Sequence, residues 1–162
     1  MSDRILFGVG ATKAGTSWLW ECLASHPQVH ARAVKELHYF DTDAPEDQAR
    51  QLAGFERVRA RLVANEAAPR RIDDLDALCT VISGDRADDR AYREFVAGPG
   101  VALDVTPAYG LLPVPVLRRM MASFADARFI YLVRDPVERL WSHVRMEVSR
   151  RMKPGGNFDG RT

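Results

Sequence analysis

Three short apolar runs, at residues 5–9, 101–107 and 128–133, each predict a buried β-strand. Behind each run, apolar residues recur at three- and four-residue spacing, which predicts helices at 18–23, 113–124 and 136–151. Strands that alternate with helices are typical of a parallel sheet covered by helices. We therefore predict an α/β fold with a central parallel sheet, and we expect the strand at 128–133 to lie centrally in it.

Most of the residues between the first two apolar runs are predicted to be helical. Apolar residues at helical spacing predict an amphipathic helix over 43–67, and Pro69 together with the residues up to Asp76 predicts a break. The other predicted elements are a possible short strand at 29–34, a short helix at 75–82, a loop at 83–89 and a helix at 88–96. No repeat or linker divides the 162 residues, so we expect a single domain.

Composition argues against several classes of protein. The formal net charge of +1 gives no reason to expect binding to nucleic acid or to an anionic membrane surface. No apolar run is long enough to span a bilayer and the first strand begins early, so we expect a cytoplasmic protein without a signal peptide. Cys22 and Cys79 are too few for a disulfide scaffold, and we expect both to be reduced and buried.

A glycine loop joins the first strand to the first helix. Gly10 and Gly15 allow the backbone to bend and to approach an anion closely, and Lys13 adds a positive charge. Thr16 and Ser17 add hydroxyl donors at the start of the helix. Thr16 stands where the common nucleotide loop has lysine, so this is a phosphate loop by shape and not a Walker loop. A plain strand-to-helix turn is an equally good interpretation of these residues alone.

The segment from Lys35 to Asp41 carries a carboxylate and an imidazole two residues apart. If it is extended, Glu36, His38 and Phe40 share one side, while Lys35, Leu37 and Tyr39 share the other. Glu36 and His38 could then act as an acid/base pair. On these residues alone, a solvated Glu36 and a His38 packed on an aromatic ring are the simpler interpretation.

A second candidate anion site follows the third strand. Arg134 leaves the strand end, and Ser142 lies about two helical turns further on. Because ligands of open α/β sheets bind at the carboxyl ends of the strands, we expect Arg134 at the same edge as Lys13. A guanidinium and a hydroxyl can hold a second phosphate, but an Arg134–Asp135 ion pair with a buried Ser142 is as good an interpretation.

Four segments together resemble the PAPS-dependent sulfotransferases, where PAPS is 3′-phosphoadenosine 5′-phosphosulfate. GATKAGTSWLW is similar to their 5′-phosphosulfate loop, and FIYLVRDPVERLWSHV is similar to their 3′-phosphate motif. KELHYFD and TPAY are similar to segments of bacterial and heparan-sulfate-type enzymes. The segments occur in the family's order between Ile5 and Val144, which is far more specific than any one of them.

The resemblance implies a P-loop-like three-layer fold, PAPS as donor, its bisphosphate PAP as product, and no metal ion. Lys13 would contact the bridging oxygen and the 5′-phosphate, and Arg134 with Ser142 would hold the 3′-phosphate. Glu36 would be the catalytic base, and His38 would help to position the acceptor. The remaining residues around the 5′-phosphate would be Ala14, Gly15, Thr16, Ser17 and Trp18, and those that contact the substrate would be Lys35, Asp41 and Tyr109.

Two features depart from the family. Heparan-type enzymes have lysine just before the TPAY-like segment, where this chain has Val105, so a smaller or less charged acceptor is favoured. The family's C-terminal glycine-rich and basic loop has no match, and 152–162 resembles the start of a loop, so we expect a single domain that lacks its C-terminal part. Residues 43–98 would form a helical segment on the acceptor side.

Two other functions stay open at this point. A P-loop small-molecule kinase would use ATP and Mg²⁺, although the position of Lys13 and the Arg134–Ser142 pair argue against it. A non-catalytic nucleotide-binding module is also compatible with a chain of this length. The sequence leaves the identity of the acceptor and the oligomeric state open.

Overall fold

A four-stranded parallel sheet forms the centre of the computed structural model, which describes residues 3–66 and 68–152. The strand order is β2–β3–β1–β4, and all three pairings are parallel. The strands are β1 (Arg4–Gly10), β2 (Val29–Ala31), β3 (Val101–Val105) and β4 (Asp126–Tyr131). The predicted α/β class with a central parallel sheet is therefore confirmed.

Six α-helices and one 3₁₀ helix connect or follow these strands in the described residues. They are α1 (Thr16–Ala24), α2 (Pro45–Ala64), α3 (Pro69–Ser83), α4 (Arg90–Val96), the 3₁₀ helix Pro107–Leu111, α5 (Val114–Ala122) and α6 (Pro136–Arg151). Four of them begin with proline, whose fixed φ and missing N–H suit the first turn of a helix. Within the described chain, no helix combines the length and apolar character needed to cross a bilayer.

Three predictions about these elements are wrong. The helix predicted at 43–67 does end, at Ala64, but 69–76 is helical and not a break, because Pro69 begins α3 and the first helical turn tolerates proline. β4 lies at an edge of the described sheet, and β1 takes a central place beside it. The apolar sequence of β4 favoured a central position, but its residues Phe129 and Tyr131 are 37% and 54% exposed. Cys22 is exposed and not buried, although both cysteines are free thiols as predicted.

The core packs on the face of β1 that carries Ile5, Phe7 and Val9, at alternate positions of the strand. The ring of Phe7 meets the rings of Phe40 and Tyr109 edge-on, at centroid distances of 6.0 and 6.4 Å. Full burial of such a ring contributes roughly 2–3 kcal/mol. Because Phe40 follows β2 and Tyr109 follows β3, this cluster anchors both loops to the sheet.

α6 is held at its start by a cap. The Asp135 carboxylate accepts hydrogen bonds of 3.0 Å from the N–H groups of Val137 and Glu138. The helix ends at Arg151, with Met152 as its C-cap. The rest of the predicted loop at 152–162, and with it the expected C-terminal truncation, lies outside the described residues.

Candidate functional site

A cleft of about 620 Å³ lies at the carboxyl edge of the sheet. Residues that follow each of the four strands line it, which is the usual place for a ligand in an open α/β fold. Nine of the sequence-predicted site residues meet there: Lys13, Gly15, Thr16, Ser17, Lys35, Glu36, His38, Arg134 and Ser142.

The loop between β1 and α1 forms the first wall. Gly15 is the N-cap of α1 with φ 101°, a conformation that glycine adopts without a steric cost, and Lys13 also has a positive φ of 68°. The first N–H groups of α1 have no acceptor within the helix, and Thr16 and Ser17 belong to that turn. This end of the cleft therefore presents donors to a negatively charged group.

Lys13 supplies a positive charge next to these donors. Its ammonium lies 3.8 Å from the sulfur of Met146, and no carboxylate forms an ion pair with it among the described residues. The other cationic side chains of the cleft have acidic partners: Lys35 with Glu36, Arg134 with Glu138, and Arg150 with Glu147. Lys13 can thus bind an anion without first giving up an ion pair.

Arg134 and α6 form the second wall. The guanidinium donates to the carbonyl oxygen of Lys13 at 3.4 Å and to Glu138 Oε2 at 3.0 and 3.2 Å. Ser142, two turns into α6, is half-buried and lines the same cleft. The predicted Arg134–Asp135 ion pair with a buried Ser142 is not formed, because Asp135 caps the helix and Arg134 pairs with Glu138 instead.

Glu36 and His38 form the third wall, within a chain of four charged side chains. Lys35 Nζ lies 2.7 Å from Glu36 Oε1, and His38 Nε2 lies 3.5 Å from Glu36 Oε2. His38 Nδ1 lies 2.7 Å from Asp41 Oδ2. One imidazole is therefore held between two carboxylates, and one of these carboxylates lines the cleft.

Their contacts shift the pKa values of Glu36 and His38 in opposite directions. The hydrogen bond from His38 has the largest effect on Glu36 and, with Lys35, outweighs burial and lowers its pKa to about 2. Burial disfavours the charged form of His38, but the hydrogen bonds to Asp41 and Glu36 outweigh it and raise its pKa to about 9. At neutral pH Glu36 is ionised and His38 carries a proton.

The backbone of this segment does not alternate as predicted. His38 has φ 53°, in the left-handed region, so the two-residue period of an extended chain stops there. Leu37, Tyr39 and Phe40 are all buried, and Lys35 lies beside Glu36 rather than opposite it. The left-handed residue is what lets three apolar side chains enter the core while Glu36 and His38 stay in the cleft.

Four predicted site residues do not line the cleft. Ala14 belongs to the loop, and the ring of Trp18 is 67% exposed to solvent. Asp41 does not line the cleft, and its carboxylate contacts His38 instead. Tyr109 is fully buried, and its hydroxyl donates to the interior carboxylate of Asp104. Asp41 and Tyr109, which we expected to contact the substrate, therefore do not line the cleft. They contact His38 and the backbone of Tyr39 behind it.

Several lining residues were not predicted from the sequence. His143, Met146 and Arg150 extend the wall of Ser142 along α6. Ser142, Met146 and Arg150 follow the four-residue spacing of a helix face, a signal that would have identified them. Pro107 and Ala108 line the cleft from the segment after β3.

Comparison with family models matches residues 6–158 to a model described as the sulfotransferase family. The chain belongs to the sulfotransferase family. No match was found among curated proteins or among solved structures.

Membership of the sulfotransferase family supports sulfuryl transfer in general and favours it over the kinase interpretation. The matched region contains every residue that lines the cleft, since the lining runs from Thr12 to Arg150. In the described part of this sulfotransferase, no group of three or more His, Cys, Asp or Glu side chains could hold a metal ion.

Proposed function

We propose that this sulfotransferase moves the sulfuryl group of PAPS to a hydroxyl or amine of a small-molecule or saccharide acceptor. The single observation that carries the proposal is that one cleft holds the Lys13 loop, the Arg134–Ser142 wall and the Glu36 carboxylate together. A transfer between two oxygens in line needs an anion site, a charge on the leaving oxygen and a base, and these three walls offer one each.

The donor's 5′-phosphate would bind at the loop before α1. The first N–H groups of α1 with Thr16 and Ser17 would contact its oxygens, as anions do at helix N-termini. The Lys13 ammonium, which has no carboxylate partner among the described residues, would stabilise the bridging oxygen as the S–O bond breaks. Positioning and charge stabilisation do most of the work in such in-line transfers.

The donor's 3′-phosphate would bind Arg134 and Ser142. Arg134 would exchange its contact with Glu138 for the phosphate, and that contact is a surface ion pair worth about 0–1 kcal/mol. Charge-assisted hydrogen bonds from a guanidinium to phosphate are stronger, roughly 1.5–3 kcal/mol each. The exchange therefore favours the ligand.

Glu36 would accept the acceptor's proton as the new S–O bond forms. Its low pKa, about 2, keeps it ionised but makes it a weak base. A weak base suffices when the proton leaves late, because the acceptor oxygen becomes strongly acidic once it bonds to sulfur. His38, protonated at neutral pH, would hold the Glu36 carboxylate in place. Its two ring nitrogens already face Glu36 and Asp41, so His38 would help to position the acceptor through Glu36.

The acceptor would enter next to Lys35 and Glu36 of a single sulfotransferase domain. Residues 43–98, which contain α2, α3 and α4, supply none of the residues that line the cleft, so this segment would contact only those parts of an acceptor that extend beyond it. Lys35 is already paired with Glu36 at 2.7 Å, and Val105 offers no charge. This arrangement favours an acceptor of low negative charge over an anionic polysaccharide.

Transfer of a ³⁵S-labelled sulfuryl group from PAPS to a panel of phenols, alcohols, amines and sugars tests the proposal. Adenosine 3′,5′-bisphosphate at a hundred times its dissociation constant should also stabilise the fold by about 2.7 kcal/mol. Stabilisation by ATP and Mg²⁺ but not by the bisphosphate would favour the kinase. Bisphosphate binding without transfer to any acceptor would favour a non-catalytic module.

A further inference from the structure

A fully buried carboxylate lies beneath the third wall of the cleft. Asp104 is 0% exposed and accepts hydrogen bonds from three hydroxyl groups. Thr106 donates to Oδ1 at 2.6 Å, whereas Tyr92 and Tyr109 donate to Oδ2 at 2.7 and 3.0 Å. Burial raises the pKa of Asp104, the three hydroxyl donors lower it in part, and the result is about 6, so the carboxylate is ionised at neutral pH.

Two of the three hydroxyl groups also accept hydrogen bonds from the candidate catalytic segment. Thr106 Oγ1 accepts from the N–H of Leu37 at 2.9 Å, and Tyr109 Oη accepts from the N–H of Tyr39 at 2.9 Å. These two N–H groups lie on either side of His38. Each hydroxyl thus donates a hydrogen bond to Asp104 and accepts one from the segment. Hydrogen bonds that are linked in this way polarise and strengthen one another.

The geometry also accounts for the unusual backbone at His38. A left-handed residue other than glycine is stable only where surrounding contacts hold its backbone. Here the N–H groups of Leu37 and Tyr39, on either side of His38, are hydrogen-bonded to Thr106 and Tyr109. With the backbone held on either side, the imidazole is placed between Glu36 and Asp41.

We propose that Asp104 is a positioning residue for sulfuryl transfer, and that it fixes Glu36 and His38 in the cleft through the hydroxyl groups of Thr106 and Tyr109. The proposal rests on the proposed function, because Glu36 must be the base for its placement to affect the rate. Asp104 does not line the cleft, so its effect reaches the substrate only through the segment.

Tyr92 offers a matched control within the same cluster. Its hydroxyl donates to the same oxygen of Asp104 as that of Tyr109, but no hydrogen bond from it reaches the segment Lys35–Asp41. Tyr92→Phe and Tyr109→Phe each remove one hydroxyl from a fully buried ring and keep the ring. A role limited to stability would give both variants similar losses of both melting temperature and activity.

Steady-state kinetics of the full chain separate the two roles. Because small displacements of catalytic groups can cost up to about 10²-fold in rate, we expect Thr106→Val and Tyr109→Phe each to lower kcat by about 10- to 100-fold. The dissociation constant of adenosine 3′,5′-bisphosphate should change less than about twofold, since its site lies on other walls. Tyr92→Phe should keep kcat close to that of the unmodified chain.

Histidine NMR gives a readout that does not depend on turnover. In the unmodified chain His38 should titrate near the pKa of about 9, and in Tyr109→Phe and Thr106→Val its pKa should fall toward 6.5 as the imidazole leaves its two carboxylates. In Tyr92→Phe, which leaves both hydroxyl groups that bind the segment in place, the pKa of His38 should change less than in either of those variants. Asp104→Asn is unsuitable for this readout, because loss of the buried charge would itself lower the pKa of His38.

Equal kcat values for Tyr92→Phe, Tyr109→Phe and Thr106→Val, with an unchanged His38 titration in all three, would overturn the positioning role. A chain that transfers no sulfuryl group at all while His38 titrates as expected would instead overturn the proposed function and leave the structural link intact. Melting temperatures of the variants show which of them are folded, and the titration is measured only below their transitions.

Discussion

The wall of the cleft that carries Glu36 and the wall formed by α6 are built in different ways. The segment Lys35–Asp41 has three buried apolar side chains and three backbone N–H groups that donate to buried hydroxyls. α6 has no buried residue among those described, and Leu140 and Trp141 are 63% and 60% exposed. It is held by its Asp135 cap and by the contacts of Arg134 and Met146 with Lys13.

This difference separates the groups that must be in place before the reaction from those that bind the donor. Preorganised groups act on the transition state without reorganisation, and the catalytic segment fits that description. The anion-binding wall can take its final position from the ligand, because its contacts in the free protein are weak surface ones. We therefore expect changes in the two walls to affect different measurements.

The largest effect should follow from Glu36→Gln. General base catalysis is worth about 10²–10⁴-fold, so kcat should fall by that factor, whereas the affinity for adenosine 3′,5′-bisphosphate should be nearly unchanged. Steady-state kinetics and titration calorimetry measure the two quantities. Glu21→Gln, at an exposed position of α1, is the matched control and should leave kcat unaltered. A large loss of bisphosphate affinity in Glu36→Gln would show that Glu36 is structural.

His38 makes the stability of the catalytic segment depend on pH. Its pKa is raised from 6.5 to about 9 in the folded chain, so its contribution is fully present below pH 6.5 and is lost as the pH rises to 9. At about 1.4 kcal/mol per unit, the contribution is about 3 kcal/mol or less. Urea unfolding between pH 6 and 9.5 should show this decline in the unmodified chain and a flatter curve in His38→Gln. Parallel curves would show that His38 is not held by its carboxylates.

Arg134→Ala should weaken the other wall. Loss of a guanidinium–phosphate contact worth roughly 1.5–3 kcal/mol corresponds to about a 10- to 100-fold loss of affinity for adenosine 3′,5′-bisphosphate. A nucleotide without the 3′-phosphate, adenosine 5′-phosphosulfate, should bind as before. Arg145→Ala, an exposed arginine of α6 that does not line the cleft, is the control. An equal loss for both nucleotides would place Arg134 outside the 3′-phosphate site.

The smallest effect should be a change in amide exchange. Adenosine 3′,5′-bisphosphate should slow hydrogen exchange several-fold in the first turns of α6, because the ligand supplies contacts that the free helix lacks. Exchange of the Leu37 and Tyr39 amides should stay slow with or without ligand, since buried hydroxyls already bind them. Equal protection of both segments by the ligand would remove the distinction between the two walls.

The features that the sequence predicts well are local ones. A strand, a glycine loop and a helix follow one another within the first 24 residues, and Arg134, Asp135 and Ser142 lie within nine residues of one another. In both places one strand end fixes where the side chains lie, so spacing along the chain is enough to predict them. The parallel α/β fold follows from the same alternation of strands and helices.

The features that the sequence does not predict depend on distant contacts. The left-handed conformation of His38 and the burial of Leu37, Tyr39 and Phe40 depend on hydroxyls about 70 positions further along the chain. The three hydroxyl partners of Asp104 lie only 2 to 12 residues away in the sequence, but the link from Thr106 and Tyr109 to the segment Lys35–Asp41 spans about 70 positions. Such contacts arise from how the strands are ordered in the sheet, which the apolar pattern alone leaves open.

A crystal structure of the chain with adenosine 3′,5′-bisphosphate tests most directly whether one donor nucleotide spans the two anion-binding walls. We expect the 5′-phosphate within hydrogen-bond distance of Lys13 and the first turn of α1, the 3′-phosphate on Arg134 and Ser142, and Glu36 facing the open space beside the 5′-phosphate. A nucleotide bound elsewhere, or with its 3′-phosphate away from Arg134, would contradict the account.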